Sequence, residues 1–532
     1  MKKMTALLLA AVLTAAGLSA RGRTDQKPGD EKKFTVALSG EIASLDPKFV
    51  YDYDSGRVAG QIYETLLGYD RNDKLIPKLA ESWRAVDNLT YVYNIRRGVT
   101  FSDGTPLTAE DVVFSIENVR QEESYLSWMF DVVDSVRKTG DFEVTVTLKR
   151  PSASWPHVLA STGGVISKDY FQKHQGDFGT AKGGIIATGP YVFDHWTSGQ
   201  EVVIKKNPNY WDRSNPGYLD TIVYKIIPDD NTRITALRTG EIDFTGNPPL
   251  SLLSVINADP NLKTLTYGSF SIVFLAFNTQ REPFTDINVR KAIYHALDLE
   301  SLQRNIIKDA GSTGTVLPQG EALYGQSPQQ WKDYLARAPK YEYNLEKAKE
   351  YLAKSGVPNG FSFNLLTHGD SLRIAMALFI QESLAKINIK VEITQVSGDE
   401  HTKYQFGGVL DSEGKRDYDT LLGGWTADYP DIGGNIEPLY LGTEAGEGGL
   451  NTAAYVNQRV TALLQEENTL TDETERNKLI FQALDIITNE IPYLFVTYPN
   501  RQVVHNIKWG GIDIRSNVSA GGFTFNKVRP AQ

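Results

Sequence analysis

Residues 361–396 set the tightest limit on what this chain can become. The sequence reads as a strand over 361–366, a helix over 372–387 and a second strand over 389–396, with the loop Thr367-His368-Gly369-Asp370-Ser371 capping the helix. A helix of that length carries the chain back along the sheet, so the two strands run parallel as a βαβ unit. At 532 residues the chain is too long for one ordinary core, and two or three lobes are expected around such a sheet.

Further strands are read over 34–38, 89–95, 142–148, 222–227, 241–244 and 492–498. Helical spacing of apolar residues predicts a helix over 58–67 that ends at Gly68 and carries Glu64, another over 232–239 closed by Gly240, and a third beginning at Asp286. Asp103-Gly104 is a hairpin-type turn, and Thr108 followed three residues later by Asp111 is a capping-box helix start. No repeat of 20–50 residues is present.

A net charge of −10 argues against nucleic acid and anionic membrane as partners. There is no cysteine, which excludes disulfides, thiolate metal sites and cysteine nucleophiles. Lys2 and Lys3 precede an apolar run over 4–12, which reads as a secretory signal too short to span a membrane. Leu18-Ser19-Ala20 resembles the start of a bacterial lipobox, but Arg21 stands where the lipid-bearing cysteine should be. Membrane tethering is therefore expected only if a cysteine replaced Arg21. Residues 21–33 are polar, with Pro28 and Gly29, and read as a flexible tether.

The stretch from Gly423 to Asp431 concentrates the chemistry. An apolar strand over 418–422 runs into Gly423-Gly424-Trp425-Thr426-Ala427-Asp428-Tyr429-Pro430-Asp431. Glycines let another backbone approach, Trp425 offers a flat apolar wall with one N–H, and Asp428 offers a carboxylate just beyond it. That combination suits a small cationic group; it equally suits a turn after a buried strand, with Asp428 as a local acceptor. Enzyme signatures are missing: there is no Gly-x-Ser-x-Gly elbow, phosphate loop, His-Glu-x-x-His or dinucleotide fingerprint, and the seven histidines are scattered. No cofactor and no metal are expected. Asp428 and Asp431, three apart on a loop, leave open a secreted carboxylate-dependent hydrolase.

Trp425-x-x-Asp428-Tyr429-x-Asp431, four-fifths along the chain, resembles the bacterial extracellular solute-binding proteins of family 5, which feed oligopeptides and dipeptides to ABC importers. Leu45-Asp46-Pro47 through Tyr63-Glu64-x-Leu66, the long run Arg96 to Val112, Thr188-Gly189-Pro190-Tyr191-Val192-Phe193, Asn207-Pro208-x-Tyr210-Trp211 and Asp286-x-x-Val289-Arg290-Lys291-Ala292-Ile293 resemble the same family. The sequence departs from it at Ile432-Gly433-Gly434, where a proline often follows the second acid.

The resemblance implies an α/β fold of the type II (cluster C) periplasmic-binding-protein kind, two large lobes with a cleft plus an extra subdomain. It divides the chain into a signal peptide (1–20), a tether (21–33), lobe I (34–67, 187–271 and 497–532), a subdomain packed on lobe I (68–186) and lobe II (272–496). It implies that Asp428 pairs with a peptide's free amino group. Trp425 with the backbone of Gly424 and Thr426, the segment Tyr51-Asp52-Tyr53, and Tyr498 are the other expected ligand contacts. His368, before a helix N-terminus, is a candidate for the ligand carboxylate, helped by imidazolium. The resemblance further implies a monomeric exported protein at the outer face of the cytoplasmic membrane or in the periplasm, working with permease subunits. It leaves open a nickel chelate, haem, an opine, an oligosaccharide or a peptide pheromone as ligand.

Overall fold

The structure is a computed structural model that describes residues 31–70, 72–317, 328–514 and 524–532. The expected signal, lipobox and most of the tether lie outside the described residues. Among the described residues, no helix is long and apolar enough to cross a membrane.

One strand ties the architecture together. Tyr493–Asn506 is 14 residues long and takes part in both halves of a 12-stranded sheet. Its first part pairs antiparallel with Ser271–Phe277 and Gly311–Thr313, and its last part with Phe244–Gly246 and Leu262–Gly268. The first half of the sheet continues through Thr420–Thr426 and Ser362–His368 to Lys390–Val396; the second continues through Lys33–Leu38, Thr221–Ile226 and Glu201–Lys206 to Tyr191–Thr197. The strands Ser362–His368 and Lys390–Val396 pair parallel, with helix Ser371–Ala385 between them, as the βαβ reading requires. The chain passes between the halves twice, around Gly268 to Ser271 and around Pro499 to Asn500, where Ser269 Oγ donates to the Pro499 carbonyl.

Each half has its own core. Phe34, Val36, Leu38, Ile222, Tyr224 and Phe244 form the centre of one. Leu275, Phe277, Phe284, Ile293, Leu365 and Leu422 form the centre of the other, and a further cluster around Phe274, Ile436, Leu484 and Phe495 packs on the same half. A separate four-stranded antiparallel sheet, Ala80–Ala85, Thr90–Ile95, Glu143–Leu148 and Val133–Gly140 in spatial order, has a third core with Tyr93, Phe101, Val112, Phe130 and Trp155. The run from Arg96 to Val112 builds that core through local chemistry. Gly104 takes a positive φ of 88° in the turn, and Thr108 and Asp111 exchange both capping-box bonds at the start of helix Ala109–Val119.

Several boundaries differ from the sequence reading, and the strand expected over 492–498 runs on to Asn506. The helix expected over 58–67 is Tyr53–Ile62, because Asp52 caps it by accepting from the Asp54 and Ser55 amides and Tyr63 turns extended. The apolar periodicity ran on because Leu66 and Leu67 serve a different core from Val58 and Ile62. Glu64 is therefore off the helix and buried, accepting from Trp211 Nε1 at 2.6 Å and Tyr210 Oη at 3.0 Å. The strand expected over 241–244 is Phe244–Gly246; Asp243 lies just before it, accepting from the Thr35 amide at 2.9 Å. His368 ends a strand rather than lying in the loop, and the strand expected to stop at Leu422 runs through both glycines to Thr426.

Candidate ligand-binding site

Gly423 and Gly424 pair within the strand, and their neighbours crowd the place a side chain would take. A Cβ on Gly423 would sit 2.6 Å from Gln405 Oε1 and 2.9 Å from the Phe274 ring; one on Gly424 would sit 2.8 Å from Arg373 Nη2. One edge of the Thr420–Thr426 strand is covered throughout by Ser271–Phe277. On the other edge the parallel neighbour Ser362–His368 pairs only at Thr420 and Leu421. Beyond that point side chains take over: Arg373 Nη1 donates to the Leu422 carbonyl at 3.1 Å, and Gln405 Nε2 donates to the Gly424 carbonyl at 2.8 Å.

Past the strand end, Asp428 meets the other half of the molecule. Tyr51 Oη, exposed at the rim, donates to Asp428 Oδ1 at 3.2 Å. Val50, Tyr51, Asp52, Tyr53, Leu126, Met129, Thr162, Thr426, Ala427 and Asp428 line one cavity of about 200 Å³ between the halves. Withdrawal from water pushes the half-buried Asp428 carboxyl up to about 6, against a smaller opposing effect of the Tyr51 bond. Tyr51 is the one hydrogen-bond partner of that carboxylate among the described residues. Asp428 is thus a carboxylate held partly out of water beside a neutral phenol, and a cationic group entering the cavity would relieve it.

The other expected residues fall into four groups. Asp52 and Tyr53 line the cavity with Asp428, but Asp52 is occupied as the cap of its helix, and the Tyr53 hydroxyl is bonded to Arg501, whose guanidinium lies 4.3 Å from the Tyr53 ring centre. Trp425 packs against the Phe274 cluster with its indole N–H shut away from water and without an acceptor among the described residues. Thr426 joins the cavity wall while its hydroxyl shares a 2.8 Å bond with Ser271, and Gly424 has its main chain engaged by Gln405.

His368 and Tyr498 do not line this cavity. The His368 ring stands edge-on to His401 with centroids 5.0 Å apart, and burial followed by the charge of Arg373 lowers its basicity. These effects disfavour the expected imidazolium, and a cation the sequence analysis did not single out, Arg373, stands at this end on the first turn of helix Ser371–Ala385. Only its place three residues after the helix cap, Asp370, could have signalled it. Tyr498 is buried, and its hydroxyl donates to the Leu317 carbonyl at 2.8 Å and shares a 2.6 Å bond with Thr315.

Asp431 has a different role from Asp428. Both its oxygens accept from Arg476, at 2.7 and 3.0 Å. Burial pushes its carboxyl upward, but the guanidinium overrides this and holds it well below the usual range. Its oxygens are taken up by Arg476, Ser154 and the Gly434 amide, an arrangement that suits a structural ion pair.

A family model for the bacterial extracellular solute-binding proteins, family 5 (middle), matches residues 74–447. The glutathione-binding protein GsiB of Escherichia coli K12 is 28% identical over 500 residues, 93% of this chain and 94% of that protein. The structure is similar to DppA of Helicobacter pylori, an ABC transporter-associated periplasmic binding protein in complex with peptide STSA (28% identity, TM-score 0.73, 94% of this chain and 98% of that one). It is also similar to the oligopeptide-binding protein AppA of Bacillus subtilis in complex with a nonapeptide (26% identity, TM-score 0.71, 95% and 100%). The two-half sheet is accordingly the two-lobe type II arrangement, and this chain belongs to the bacterial extracellular solute-binding proteins of family 5, the extracytoplasmic substrate-binding components of ABC importers rather than enzymes.

Proposed function

We propose that this protein encloses short peptides between its lobes and delivers them, as a monomer, to the permease of an ABC importer. Asp428 carries the reading: it is a carboxylate at the lobe boundary, short of water and with a neutral phenol as its partner, so a peptide's terminal ammonium supplies the charge and donors it lacks. Arg373, whose guanidinium lies beside Gly424, gives the opposite pole, for the ligand carboxylate. Gly424, beside Arg373, and Asp428 are four residues apart, at most ~13 Å along an extended strand, a span that suits an extended tri- or tetrapeptide. Main-chain recognition of this kind gives affinity with little choice of side chains. The peptides bound by the two solved relatives named above agree with this class.

Native mass spectrometry of the purified protein tests the proposal. Bound masses that resolve on denaturation into peptides of mixed sequence are expected. A nickel chelate, haem, an opine or an oligosaccharide in their place overturns it.

A further inference from the structure

The second acid of the Trp-x-x-Asp-Tyr-x-Asp motif faces away from the cavity and across the lobe boundary. Ser154 Oγ donates to Asp431 Oδ2 at 2.8 Å, and the same oxygen accepts from the Gly434 amide at 2.8 Å and from Arg476 Nη2 at 3.0 Å. Ser154 opens helix Trp155–Ser161, part of the core of the four-stranded sheet. Asp431, Glu467 and Arg476 all sit in the segment enclosed by the two crossings, and Arg476 Nε donates to Glu467 at 2.7 Å. The contact therefore joins the two lobes, with the acid already clamped on its own side.

Two neighbours reinforce it. The Ala153 amide donates across the same boundary to Asn468 Oδ1 at 3.2 Å. The Tyr429 ring stacks on His157, at 6.0 Å between centroids and 29° between planes, and packs against the four-stranded sheet's core. Asp428, Tyr429 and Asp431 thus each touch the opposite lobe, through Tyr51, His157 and Ser154. The glycines after the motif permit this: a Cβ on Gly434 would lie 2.5 Å from the Tyr429 ring and 3.0 Å from Ser154 Oγ. Beside the contact lies a cavity of about 520 Å³ walled by Trp83, Arg84 and His157 on one side and Asp431 and Arg476 on the other. Opening there breaks those polar bonds and separates the Tyr429 ring from His157 and that core.

We infer that Ser154 and Asp431 form a lobe-to-lobe clasp, and that the clasp positions Asp428 by fixing its loop as the cleft closes. Asp431 is then a positioning residue for ligand capture, not a contact of the ligand. The coupling to capture rests on the amine-anchor reading of Asp428; the clasp itself does not.

The chain has no cysteine, so Asp141→Cys and Thr474→Cys, at exposed positions on the two sides, install a dye pair that reports closure. Hydrogen bonds to charged groups are among the stronger ones, so Ser154→Ala is expected to lower the ratio of closed to open molecules about tenfold. With trialanine as probe, the dissociation rate should rise about tenfold and the association rate change less than twofold; Ser154→Thr, which keeps the hydroxyl, should restore both. A closed-to-open ratio and a dissociation rate for Ser154→Ala within twofold of the parent overturn the clasp. If trialanine does not bind the parent, the peptide reading falls, and the dye pair without peptide still decides the clasp.

Discussion

Replacing Asp428 with Asn is the sharpest perturbation of the site, because it removes the charge and keeps the shape and a partner for Tyr51. The folded carboxyl titrates at about 6 instead of 3.8, so its ionised form is disfavoured by roughly two units, ~3 kcal/mol at 1.36 kcal/mol per unit. The group is half-buried and solvent screens its open edge, which brings the part an ammonium can recover to about 2 kcal/mol, or thirtyfold in affinity. Titration calorimetry at pH 7.5 with a free-amine tripeptide should show that loss in Asp428→Asn, and the N-acetylated tripeptide should bind parent and variant alike. Lowering the pH from 7.5 to 5 protonates the parent's free site and should weaken binding about tenfold, with no such slope in the variant. The stability of the unliganded protein should move the other way. A carboxyl raised on folding costs stability increasingly above its unfolded pKa, fully so above about 6, so the variant should melt higher than the parent at pH 7.5 and level with it well below pH 4. Affinity within threefold of the parent, or a pH slope that persists in the variant, refutes the assignment of Asp428 as the amine anchor.

Tyr498→Phe removes a hydroxyl bonded to Leu317 and Thr315 inside the second lobe, so it should lower unfolding stability by about 1–2 kcal/mol and leave peptide affinity within twofold; a loss of affinity would return Tyr498 to the site. Arg476→Leu strands Asp431 and Glu467 in a buried site without their cation, and should cost about 3–5 kcal/mol in denaturant unfolding, with a loss below 1 kcal/mol contradicting the ion cluster as a structural support.

Local chemistry was legible in the sequence wherever one residue type had one physical use. Thr108 and Asp111 announced a capped helix, Gly240 closed one in the left-handed conformation, and the strand–helix–strand spacing over 361–396 forced parallel pairing. Reading failed where one signal had two sources. Val58, Ile62 and Leu66 share a helical period, yet they serve different cores, and only the turn at Tyr63 separates them. Gly423 and Gly424 look like the end of a strand, but they pair within it, and Gln405 and Arg373 crowd the place a side chain would take. Residue type and spacing alone do not divide the two acids of the motif, both aspartates three apart; the resemblance singled out Asp428. What divides them is long-range, since Arg476 lies 45 positions on and Ser154 277 positions back, while Tyr51 reaches Asp428 from 377 positions away. An acid that brings its own guanidinium has no need of a ligand and is free to hold the lobes together. An acid left with a phenol lacks a cation, and the cleft that closes over it is where the cation must come from.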